Sequence, residues 1–113
     1  MPPESAKYLR DMLDAAETVQ EFVRGKSPAE YQSSKLLHSA VQWNFAVIGE
    51  ALSLLYKVDP ATAGQISESP RIIAFRNQLI HGYRVVDHEI TWTIIETKLP
   101  VLVQELRALL KSD

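Results

Sequence analysis

Polar caps followed by proline, and glycines at segment ends, cut this chain into stretches of helical periodicity. That punctuation leaves little besides helices to build from. Ser27-Pro28-Ala29-Glu30 is a full helix start, with a serine cap, proline at the first helical position and glutamate at the third. Asp59-Pro60 and Ser69-Pro70 repeat the cap-then-proline logic, and Asp87 supplies a further cap. Gly25 and Gly82 stand where helices should close.

Four helical segments follow from this. The first spans about Glu4 to Arg24, with Tyr8, Leu9, Met12, Leu13, Ala16, Val19 and Val23 at helical spacing. Lys7 with Asp11 and Arg10 with Asp14 pair on its wet face. The second is expected to run unbroken from Pro28 to about Lys57. Its main face holds Leu37, Val41, Asn44, Ile48, Leu52 and Leu55, while Trp43, Phe45, Val47 and Leu54 fall outside that stripe. A helix apolar on more than one side is sandwiched between neighbours or shared with another chain. The third spans Pro70 to about His81, capped by Ser69. The fourth runs from His88 to about Lys111, with Pro100 kinking it or dividing it in two. Period-two alternation and internal repeats are missing. The expectation is an all-α antiparallel four-helix bundle, one domain over residues 1–113.

With 113 residues and 46% hydrophobic content the chain can bury one core, so a deep site must lie between elements or between chains. Twelve Lys+Arg against fourteen Asp+Glu, net -2, exclude a strongly basic nucleic-acid coat protein. There is no cysteine, hence no disulfide, thiolate metal cage or thiol nucleophile. The start Met1-Pro2-Pro3-Glu4 does not read as a signal peptide. The longest apolar stretch, Phe45 to Tyr56, is interrupted by Gly49, Glu50 and Ser53 and is too short to span a bilayer. A soluble cytoplasmic protein without membrane contact is expected.

Chemistry gathers between Arg71 and His88. Arg71, Arg76 and Arg84 against Asp87 give this segment a formal charge of three minus one, +2, on a negative chain, and two of the three histidines are here. Arg76 and His81 lie about 140° apart around an ideal helix. One chain therefore presents them poorly to a single phosphate, whereas two facing chains would supply two of each across a shared groove.

The motif Arg76-Asn77-x-x-x-His81-x-Tyr83 resembles that of the HepT-like branch of the HEPN superfamily, small all-α ribonucleases of toxin–antitoxin and defence systems. Ile48-Gly49-Glu50-Ala51, the His81-Gly82-Tyr83 turn and the Val86-Asp87 to Leu99-Pro100 tail stand in register with it. One departure is Arg71-Ile72-Ile73, where members often carry a tryptophan. The resemblance implies a homodimer with a composite active site at its interface, cleaving RNA without a metal or cofactor. Arg76 and His81 would be catalytic, with Asn77 and Glu50 in support. It also implies a partner, a minimal nucleotidyltransferase antitoxin that transfers AMP to Tyr83. RNA rather than DNA fits, because the 2′-OH is a built-in nucleophile. A histidine moves a proton near neutrality, and a planar guanidinium matches phosphate oxygens.

Plainer readings stand beside these. His81 at a helix end can simply meet the last carbonyls. Arg76 can pair with a carboxylate, Glu50 being the candidate. Arg71 and Arg84 are solvated charges or steer RNA. His38 is a surface or packing residue, and His88 a polar helix start. Trp43 and Trp92 belong to a core or a dimer contact. No set of ligands for zinc or magnesium is apparent. Three functions remain open: an endoribonuclease toxin, a non-catalytic substrate- or nucleotide-binding companion of a minimal nucleotidyltransferase, and a structural helical dimer with no site.

Overall fold

The computed structural model describes residues 1–112, and of Tyr83 the backbone alone. The described residues form seven α-helices and one 3-10 turn: α1 (Pro3–Val23), α2 (Pro28–Gln32), α3 (Lys35–Val58), α4 (Pro60–Ala63), α5 (Ser69–His81), the turn Tyr83–Val85, α6 (His88–Thr97) and α7 (Leu99–Lys111). The architecture is all-α, as expected. It is more finely divided than four rods.

The long second segment is broken at Ser33-Ser34, which corrects the unbroken helix expected there. Ser27 does make the capping box, its hydroxyl accepting from the Glu30 amide and the Glu30 carboxylate accepting from the Ser27 amide. Ser33 then leaves the helix, and Ser34 caps α3 by accepting from the Leu37 amide at 3.1 Å. A single helix over residues 28–57 would be roughly 45 Å long, longer than the 42 Å longest extent of the molecule. The break lets Tyr31 turn inward, where it is fully buried beside α6, while α3 continues along the core.

Ser69 corrects a second expectation. The cap position is taken by Glu68 in a left-handed conformation (φ 57°), and Ser69 lies inside α5. Its hydroxyl is 2.5 Å from the Tyr56 phenol, so it ties two helices together and does not cap its own. Asp87 caps α6 through the Glu89 and Ile90 amides. Gly25 is left-handed at φ 75°. Pro100 sits in the first turn of α7, and the chain divides at Lys98.

Helix α3 is the central element, with its most extensive packing on α1 and α5. The Ser5 hydroxyl donates to Asp59 at 2.8 Å, joining the start of α1 to the end of α3. Tyr56 and Ser69 join the end of α3 to the start of α5. Both neighbours are therefore antiparallel to α3 and parallel to each other. The core lies where Leu9, Met12 and Val19 meet Val41, Leu52 and Leu55, closed by Leu99 and Leu106 of α7. Phe45, placed outside the main stripe from the sequence, is buried, whereas Trp43 is exposed.

Asp59 accepts from the Thr62 hydroxyl and amide and from Ser5, and these bonds hold its carboxyl below its ordinary value of 3.8. The depressed folded value means that its stabilisation is complete above the ordinary value and is lost as pH falls through the folded one. Denaturant titrations below about pH 4 should show a shallower acid loss for Asp59→Asn than for wild type. Parallel slopes would count against this tether.

Candidate active site

The site begins with a missing side chain. At Gly49 of α3, an added Cβ would lie 2.2 Å from the Cβ of Arg76 and 2.8 Å from its Cγ. Only glycine lets α5 approach α3 this closely, so the root of Arg76 is pinned against the α3 backbone. Its head is held as well. Nη2 pairs with Glu50 Oε2 at 2.9 Å, and Nη1 donates to Asn77 Oδ1 at 3.0 Å. The Nε atom is buried with no hydrogen-bond partner among the described residues. The expected Arg76–Glu50 pair is thus present. A guanidinium has five N–H donors in a rigid fork, so two such contacts orient it without exhausting it, and its side chain remains 25% exposed.

Arg76 and Glu50 face a groove of about 410 Å³ floored by α3 and walled by α1 and α5, with Lys7, Tyr8, Trp43 and Ile80 also on its lining. His81, the last residue of α5, is exposed but does not line this groove. Arg84 is exposed in the following 3-10 turn. The side chain of Tyr83 lies outside the described residues. Arg71 is at the opposite end of α5, paired with Glu68 at 2.9 Å, on the rim of a second cavity of about 310 Å³ walled by Phe45, Ile72 and Phe75. The fold therefore brings Glu50, Arg76 and Asn77 together, sets His81 and Arg84 at one end of α5, and leaves Arg71 apart.

Two features were not anticipated. Gly49 was noticed only as context, although a glycine inside an apolar helix is a signal of close packing. His38 and His88 were treated separately. They stack face to face, ring centroids 3.6 Å apart and planes within 9°. No spacing rule connects residues fifty apart on different helices.

Chemically, the chain offers a fixed cation suited to an anionic oxygen and, at the C-terminal end of the same helix, an exposed imidazole outside the groove. Comparison with known proteins gives this pair a setting. A family profile described as "Ribonuclease HepT-like" matches residues 12–109. A Methanocaldococcus jannaschii protein named "Gamma-glutamylcyclotransferase and putative RNase" is 27% identical over 93% of this chain and 47% of its own length, so the chain spans about half of that relative. A second protein of that organism, named "Putative RNase", is 26% identical over 99% of this chain and 93% of its own. A "Putative RNase" of Caldanaerobacter subterraneus subsp. tengcongensis is 27% identical, covering 94% of each chain. No solved structure matches. Because the profile spans nearly the whole helical core and the stretch that carries Gly49, Glu50, Arg76 and His81, the chain belongs to the HepT-like ribonuclease family.

Proposed function

We propose that this protein is a metal-independent endoribonuclease that works as a homodimer and serves as the toxin of a pair with a minimal nucleotidyltransferase antitoxin. The observation that carries the reading is Arg76, immobilised at the Gly49 crossing between Glu50 and Asn77, in a chain of a ribonuclease family.

In this reading the 2′-OH of the ribose attacks the adjacent phosphorus while one His81 imidazole takes its proton. A second His81, protonated, gives a proton to the departing 5′-oxygen. The products are a 2′,3′-cyclic phosphate and a 5′-OH. Arg76 neutralises the extra negative charge that builds on the phosphoryl oxygens between these steps. Two imidazoles and a facing guanidinium call for two chains, because His81 and Arg76 of one chain lie on different sides of α5. Supporting a second copy, Leu36, Trp43, Ile80, Val85 and Ile90 are exposed apolar residues, three of them at least 70% exposed; Ile80 and Val85 flank His81 along the chain, and Trp43 lines the groove with Ile80 and Arg76. Exposed apolar surface of this kind is a common mark of association. On the antitoxin side, the Tyr83 oxygen would attack the α-phosphorus of ATP and release pyrophosphate. The AMP left on it adds a negative charge two residues from His81 and blocks entry of RNA.

Purified protein should cleave RNA in EDTA, and Arg76→Ala should lower the rate by about 10²- to 10³-fold with an unchanged helical circular-dichroism spectrum. A protein inert toward RNA that binds ATP through Arg76 would instead make it a non-catalytic companion of the nucleotidyltransferase.

A further inference from the structure

Away from the groove, four side chains from three helices form a box. The imidazoles of His38 (α3) and His88 (α6) are stacked at 3.6 Å. Tyr31 of α2 meets His38 edge-on at 5.0 Å and His88 at 6.4 Å, and lies 5.3 Å from Trp92 of α6. Tyr31 is fully buried and Trp92 nearly so. His38 Nε2, His88 Nδ1, Tyr31 Oη and Trp92 Nε1 are all buried without a hydrogen-bond partner among the described residues. A box held by ring faces and edges, with its polar atoms unpaired, tolerates little added charge. His88 is also the first residue of α6, directly after the cap Asp87. Residues 82–87, which include the short 3-10 turn, separate it from His81.

We infer that the stacked His38–His88 pair is a positioning device for the connection that follows His81 and includes Tyr83, holding the start of α6 while the pair carries at most one proton and releasing it when a second is added. Two imidazolium rings at this separation repel directly, and nothing between them screens the repulsion. The charged groups acting on His88 are His38 across the stack and the Asp87 carboxylate beside it. Burial, then His38, push the His88 imidazole below its ordinary value of 6.5, and Asp87 only partly opposes them. Burial drives the Tyr31 phenol up to about 12, so it stays neutral and supplies no counter-charge. The sign follows from linkage. With His88 depressed in the folded state, the unfolded chain takes up the proton first, so stability is full above 6.5 and is lost as pH falls toward the folded value.

The effect of this device on cleavage rests on the endoribonuclease reading. The test is an NMR titration of the full chain from about pH 8 to 5, following both imidazoles and amide exchange across residues 82–90. Below the ordinary histidine range, exchange there should accelerate by at least about tenfold, more than in α1. His88→Phe, which keeps a stacking ring without a titrating nitrogen, should abolish that acceleration, and His38→Phe, which removes the repulsion but leaves His88 buried, should reduce it. The acid limb of RNA cleavage should shift to lower pH in both variants. Independent titration of the two rings with no change across 82–90 would overturn the inference. So would equal acid loss in wild type and His88→Phe. If either variant fails to fold, the wild-type titration decides alone. A clear acid transition in a protein that never cleaves RNA would sink the endoribonuclease reading and leave the positioning device standing.

Discussion

Gly49→Ala is expected to lower the melting temperature by roughly 10 °C and to abolish most RNA cleavage. Alanine in place of a helix-interior glycine ordinarily stabilises by about 1 kcal/mol. Here the new methyl would lie 2.2 Å from the Arg76 Cβ, an atom fixed to the α5 backbone that no rotamer change can move. Helices α3 and α5 must part, at a packing cost of about 3 kcal/mol, so the net effect is a loss of about 2 kcal/mol. The same displacement carries Arg76 away from Glu50 and Asn77, and small errors of placement cost a large share of rate. Calorimetry together with an RNA cleavage assay decides the matter. A variant as stable and active as wild type would mean that this crossing does not position the guanidinium.

His81→Ala should act in the opposite sense, through chemistry without stability. The residue is exposed at the end of α5, so its removal should change stability by no more than about 0.5 kcal/mol. Loss of a general acid–base group should reduce cleavage by about 10²- to 10⁴-fold. In bacteria, inducible wild-type protein should arrest growth and the variant should not. The proposed composite site makes a sharper demand. His81→Ala and Arg76→Ala proteins are each expected to be inactive alone. Mixed and allowed to exchange subunits, they should regain only a small part of the cleavage, because a mixed dimer sets one guanidinium against one imidazole on facing chains and lacks the second imidazole. Full activity of the His81→Ala protein would remove the imidazole from the mechanism altogether.

Much of the fold was legible because its signals are local. The Ser27 box, the Asp87 cap, the Gly25 closure and the division near Pro100 each depend on residues within a turn of one another. The failures share a cause. Ser33-Ser34 breaks the helix because a straight rod would outrun the body it packs on, and Ser69 is drawn from capping by a phenol on another helix. The candidate site divides along the same line. Arg76, Asn77 and His81 were named from a motif within six residues, and Glu50 from a charge in an apolar run. That Gly49 rather than a groove side chain determines where the guanidinium sits became visible only when α5 was laid across α3.

The sequence by itself determined that this chain is helical, where most helices start and end, and which cation and imidazole it offers, since backbone capping and periodicity act over a few residues. Only the tertiary structure decided that Arg76 is clamped while His81 stands outside its groove, and that two histidines fifty residues apart share a stack. Those facts arise from the approach of whole helices, which no pattern along one of them encodes.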